Sequence, residues 1–109
     1  ANYHNVNNLR VIVDRNRIQN DDFMEVQMEI GDIGNKFHSF GWSVREVDGH
    51  NMTELVEAMH WTENTDSGPI AIIANTTKGR GVSFMEDNPE FHGKAPNNEE
   101  LEIALEELS

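Results

Sequence analysis

Two groups of residues combine types and spacings that could do chemistry. The first is Asp14-Arg15-Asn16, which directly follows the β-branched run Val11-Ile12-Val13. Hard divalent cations such as Mg²⁺ and Ca²⁺ take oxygen ligands. Asn16 offers a side-chain oxygen, and the main-chain carbonyl two residues on, at Ile18, could offer a second. The same residues also suit an ordinary strand-to-loop turn, because Asp and Asn side chains bond their own backbone. The second group lies in residues 76–96, where Lys78, Arg80 and Lys94, three of the eight cationic residues, gather with His92. A local basic cluster in an acidic chain suits an anion, most simply a phosphate. Gly79 and Gly81 would let the backbone come close to it. By composition alone, a flexible loop with scattered lysines reads the same way.

The elements that must position these groups follow from pattern. The run at 9–13 is too short for a helix, and its length and β-branched content favour a buried parallel strand. Ligands of open α/β sheets sit beyond the C-terminal ends of strands, which is where Asn16 falls. Residues 14–28 read as a polar loop with Asn20-Asp21-Asp22 as a turn. Ile30, Ile33, Phe37 and Phe40 mark one face of a helix that Gly41 stops. Residues 42–47 alternate apolar and polar as a second strand. Asn51, with Glu54 three residues on, caps a helix whose stripe is Met52, Leu55, Val56 and Met59, closed by Trp61. After a polar loop from Thr62 to Gly68, residues 69–74 form a third strand, apolar on both faces and hence central.

Residues 76–96 form a long stretch without regular structure, a kind that is either functional or disordered. A last helix is capped by Asn97 or Asn98, carries Glu99 and Glu100 in its first turn, and buries Leu101, Ala104, Leu105 and Leu108. Strand, helix, strand, helix, strand predicts an α/β fold with a parallel sheet and flanking helices. Three strands leave exposed edges, so the rest of the sheet is expected from another chain, a missing segment or a symmetry mate.

Composition narrows the classes. A chain of 109 residues is one small domain, and its hydrophobic content of 37% is below the roughly 45–50% usual for a domain with its own core, which fits a piece of a larger one. The net charge of −12 argues against nucleic-acid binding and against docking on anionic lipid. The lack of cysteine excludes disulfide and thiol chemistry and is compatible with the cytosol, so a cytoplasmic protein is expected. No apolar run is long enough for a membrane span, and no basic-then-apolar signal pattern opens the chain. The start at Ala1-Asn2-Tyr3-His4, without Met, suggests a processed chain or a fragment. No Gly-x-Gly-x-x-Gly opens a helix after a strand, which removes a dinucleotide site.

Asn7-Asn8-Leu9, followed by Val11-Ile12-Val13-Asp14-Arg15-Asn16, resembles the end of the thiamine diphosphate motif of the transketolase family. Phe40-Gly41-Trp42, Val47-Asp48-Gly49-His50, Thr77-Lys78-Gly79-Arg80-Gly81 and His92-Gly93-Lys94-Ala95-Pro96 resemble the same family, in the same order, across nearly the whole chain. The resemblance implies that residues 1–109 are the second half of the N-terminal, diphosphate-binding domain, part of a thiamine diphosphate-binding fold. Residues 1–7 would then be the tail of the helix before the first strand. Asp22 stands where the family often has glycine, and Asp enters positive φ less freely, which puts the turn there in question.

The implied activity is transfer of a two-carbon ketol unit between sugar phosphates, with thiamine diphosphate and Mg²⁺ or Ca²⁺. Asn16 carries over as a metal and cofactor ligand through its side-chain oxygen, and Ile18 through its main-chain carbonyl, with the metal bridging the two phosphates. Asn20 and Lys78 carry over as neighbours of the cofactor, Lys78 toward its diphosphate. His92 matches the active-site histidine, near the diphosphate and the substrate's first hydroxyl, where an imidazole can steer and shuttle protons. Asp14 reads as a loop-bracing carboxylate, and His4, His38, His50 and His60 as surface or packing residues.

The family's Gly-Asp-Gly, with its third metal ligand, is not in this sequence. Neither is the glutamate that in the family reaches the cofactor from another domain across a subunit interface. A component or fragment of a transketolase is therefore expected, sharing its site with a complementary chain or segment in an oligomer. The alternatives are a non-catalytic half-domain with a structural or interaction role, and a different thiamine diphosphate enzyme, such as deoxyxylulose-phosphate synthase or a 2-oxo acid decarboxylase. His92-Gly93 favours transketolase over these two enzymes.

Overall fold

In the computed structural model, which describes residues 1–19, 22–65 and 68–109, the chain divides into two units. Unit 1 comprises Ala1–Arg15 and Gly31–Thr76; unit 2 comprises Asn16–Ile30 and Thr77–Ser109. Along the chain the elements are β1 (Arg10–Arg15), β2 (Ile18–Gln19), β3 (Asp22–Phe23), α1 (Met24–Gln27), α2 (Ile33–Ser39), β4 (Ser43–Asp48), α3 (Met52–Glu63), β5 (Ile70–Asn75) and α4 (Asn98–Glu107). Short 3₁₀ turns lie at Asn2–His4 and Pro89–Phe91.

Unit 1 is an α/β layer structure with a parallel sheet in the order β1-β5-β4. β5 is central because its sequence, Ile-Ala-Ile-Ile-Ala, is apolar on both faces, and all five of those residues are buried. α3 packs on one face, where Leu55 and Ala58 meet Val47, Ile72 and Ala74. α2 packs on the other. Its buried residue is Gly34, and a Cβ there would lie 2.7 Å from Glu46 Oε1, so a larger residue would require the Glu46 carboxylate to shift. Both helices are capped as their sequences dictate. Asp32 Oδ1 accepts the Asn35 N–H at 2.8 Å. Asn51 Oδ1 accepts the N–H groups of Thr53 and Glu54 at 3.1 and 3.2 Å. Glu54 accepts the Asp48 N–H at 2.9 Å and the Asn51 side-chain amide at 3.0 Å, while the Asn51 backbone N–H donates to Asp48 O. Gly41, at φ +79°, ends the α2 segment.

Several expectations need correction. β1 is parallel but not buried: among the described residues it pairs only with β5, and Ile12 is 56% exposed. α3 packs chiefly on β4 and β5; at β1, Arg10 Nη2 donates to Thr62 O at 3.1 Å. The expected α3 stripe is largely solvent-facing, with Met52, Val56 and Met59 exposed; the inward face is Leu55, Ala58 and Thr62. α2 begins at Ile33, because Gly31 takes φ +60° and Asp32 caps the helix, and Phe40 beyond its end is exposed. Of the expected α4 face, Ala104 is buried, whereas Leu101, Leu105 and Leu108 are exposed. Residues 14–28 are not one loop: unit 2 begins there with the antiparallel pair β2–β3 and the short α1. Residues 1–7 hold only a 3₁₀ turn. Among the described residues, no helix is long and apolar enough to cross a membrane.

Candidate functional site

Asn16, Ile18, Lys78 and His92 all belong to unit 2; Asn20 lies outside the described residues. Asn16 Oδ1 accepts the Ile18 N–H at 3.0 Å, closing an Asx turn. The residue between them, Arg17, sits in the left-handed region at φ +62°, uncommon for a residue that is not Gly, Asn or Asp. The Arg17 carbonyl accepts the Met24 N–H at 2.9 Å. Hydrogen-bonded and non-bonded pairs alternate along an antiparallel ladder, so the next pair, Ile18–Phe23, is non-bonded and Ile18 turns both its N–H and its carbonyl away from β3. The Asn16 amide oxygen and the Ile18 carbonyl thus lie on the same outer side of the hairpin. An amide oxygen has two lone pairs, so Asn16 Oδ1 keeps one beyond its bond to Ile18. Two oxygens on one side of a turn suit a hard cation.

Segment 76–96, expected to lack structure, is a chain of turns. Val82 is buried and its N–H donates to Gly79 O at 3.1 Å; Met85 and Glu86 in turn donate to Val82 O at 2.9 and 3.0 Å. Gly79 takes φ +77°, and a Cβ there would run into the Met85 carbonyl. The Phe84 and Phe91 rings pack at 5.4 Å. β3 lies against Pro89–Phe91, so the hairpin with Asn16 and Ile18 neighbours the turn that presents His92 at its C-terminal end. His92 is exposed; its N–H donates to Pro89 O at 2.9 Å, and its ring makes no hydrogen bond among the described residues.

The basic cluster is less available than its composition suggests. Arg80 Nε is 3.8 Å from Glu86 Oε1, which also accepts the Gly81 N–H at 2.9 Å. Lys94 Nζ lies 4.8 Å above the Phe91 ring, a cation–π contact. Lys78, half-buried, has no ion-pair partner among the described residues.

Residues 1–108 match the family described as transketolase, thiamine diphosphate binding domain. The chain belongs to the transketolase family. It is 34% identical over 109 residues to an apulose-4-phosphate transketolase subunit of Phocaeicola vulgatus, covering all of this chain and 39% of that one. It is 33% identical over 108 residues to human transketolase, covering 99% of this chain and 17% of that one. The crystal structure of transketolase from Campylobacter jejuni superposes with a TM-score of 0.87 at 25% identity, over 97% of this chain and 16% of that one. This transketolase-family chain thus spans well under half the length of these relatives.

One fastening within the transketolase-family chain had no sequence signal. Glu107, at the end of α4, accepts both the N–H and the Oγ–H of Ser83 at 2.6 Å. Residue type alone could not have joined positions so far apart. The Ser83 hydroxyl first, and then its N–H, hold the Glu107 carboxyl below its ordinary value. A carboxyl lowered in the folded state stabilises it above the unfolded value and loses that contribution as pH falls through the folded one. Acid should therefore release Ser83. In an NMR titration its amide resonance should move with a midpoint below the ordinary glutamate value of about 4.3; a midpoint at or above that value would contradict the fastening.

Proposed function

We propose that this chain is a component of a transketolase that transfers a two-carbon ketol unit between sugar phosphates, using thiamine diphosphate and a divalent metal, Mg²⁺ or Ca²⁺. The observation that supports this most is the Asn16 turn, which, with the strand pairing beyond it, leaves two uncharged oxygens facing the same outer side of the hairpin in a chain of the transketolase family. Such oxygens suit a metal whose charge is balanced by the cofactor's own phosphates. Asn16 and Ile18 hold the metal, and Lys78 sets its ammonium against the diphosphate. Asn20 stands beside the cofactor by resemblance alone.

When bound, thiamine diphosphate supplies the nucleophilic carbon that takes up and hands on the two-carbon unit. His92, presented on an exposed turn, accepts and returns a proton at the substrate hydroxyl. Residues 1–109 form the second half of the diphosphate-binding domain. A complementary chain or segment supplies the rest in an oligomer with the site at a subunit interface, in the cytoplasm. Relatives named as transketolase subunits support a division of the enzyme between chains.

Asn16→Ala tests the proposal. In the assembled protein, calorimetry should show affinity for Mg²⁺–thiamine diphosphate weakened on the order of 10–100-fold, with Asn16→Asp closer to the parent because it keeps an oxygen and the turn. An Asn16→Ala protein that binds as the parent does, or a parent that takes up thiamine diphosphate equally well without metal, would overturn it.

A further inference from the structure

The C-terminal ends of β1 and β5 are register partners, Asp14 with Ala74 and Arg15 with Asn75. They are cross-tied just where the chain leaves unit 1. Thr76 Oγ1 donates to Asp14 Oδ1. The Thr76 N–H donates to Arg15 O at 3.3 Å, and Arg15 Nη1 donates to Asn75 Oδ1 at 3.0 Å. On its other side, the Thr76 methyl lies where a Cβ on Gly49 would have to go, and the Gly49 N–H donates to Asn75 O at 2.8 Å. Thr76, the residue after β5, is thereby fixed by its hydroxyl and amide to the end of β1 and by its methyl against Gly49, just beyond β4. Arg15 and Thr76 are also the last residues of unit 1 at two of its boundaries with unit 2. The next residue after Arg15 is Asn16, and the second after Thr76 is Lys78.

We propose that Asp14 and Thr76 are positioning residues of the cofactor site: their hydrogen bond sets the spacing of the two chain exits from which Asn16 and Lys78 are suspended. The proposal rests on the functional reading above. Asp14 is exposed, so the bond adds little to folding; its effect is geometric. A hydroxyl bonded to a carboxylate is short and directional, and an ionised carboxylate can only accept, so the threonine must donate. Partners that orient ligand-bearing groups without touching the ligand have measurable effects on affinity.

Thr76→Val keeps the methyl against Gly49 and removes the donor; Thr76→Ser keeps the donor. In the assembled protein, Thr76→Val should weaken Mg²⁺–thiamine diphosphate binding about tenfold with little change in the unfolding midpoint, and Thr76→Ser should restore most of it. Amide hydrogen exchange should quicken in Thr76→Val at both Asn16–Ile18 and Lys78–Gly79. Parent-like affinity in Thr76→Val, or equal loss in Thr76→Ser, would overturn the proposal. If the parent binds no thiamine diphosphate, the functional reading fails by itself, and exchange decides the tie: quickening at both segments supports it, and unchanged rates overturn it. Should Thr76→Val not fold, Asp14→Ala takes its place with the same readouts.

Discussion

Replacing His92 with alanine should lower ketol transfer by the assembled enzyme about 10²–10⁴-fold, with little effect on folding. The asymmetry follows from how the residue is held. Its side chain is exposed and makes no hydrogen bond among the described residues, so truncation leaves no buried cavity. The turn is held instead by backbone and neighbours: His92 N–H to Pro89 O at 2.9 Å, Asn88 Oδ1 to the Glu90 N–H at 3.1 Å, and Phe91 against Phe84. The loss should fall on turnover more than on cofactor affinity, because the imidazole's proposed task is moving a proton. Steady-state kinetics with an aldose phosphate acceptor, beside a thermal melt, make the check. Parent-like turnover would remove His92 from the chemistry.

Replacing Ile73 with alanine should cost about 2–5 kcal/mol of stability. Ile73 is fully buried at the centre of β5, with Val13 and Glu46 as its register partners on either side. Two of its neighbours along the strand's buried run, Ala71 and Ala74, are already small, so little can move in to fill the space left. Stability margins of small domains run to about 5–15 kcal/mol, so the change would remove a large part. Urea unfolding should show a lower midpoint with the slope unchanged. A shift equivalent to under about 1 kcal/mol, the range of a conservative core trim, would mean that the strand is not closely packed.

What the sequence disclosed depended on how local each signal was. β5 was legible because a strand apolar on both faces has one reasonable place, and the caps at Asn51 and Asn97 because a side chain three residues from its amide needs no tertiary help. The inward face of α3 was misread because Ala58 and Thr62, small or polar, point to the sheet, while the more hydrophobic Met52, Val56 and Met59 face solvent. Burial of β1 was misjudged because a strand's composition does not name its neighbours. At the candidate site, motifs drew attention to Asn16, Lys78 and His92. The Asn16–Ile18 turn holds a left-handed Arg17, and arginine carries no preference that would announce it. The order in 76–96 rests on Glu86 at Gly81 and Glu107 at Ser83, pairings between acids and amides that residue type alone cannot assign.

Among the described residues, the outer side of β1 pairs with no other strand. A strand with main-chain groups open on one flank and Ile12 on its surface is a template for adding any passing strand, including one from an identical molecule. The surplus of twenty acidic over eight basic side chains opposes that by mutual repulsion between copies. The acidity that argues against nucleic-acid binding thus also opposes edge-to-edge pairing between copies of this chain.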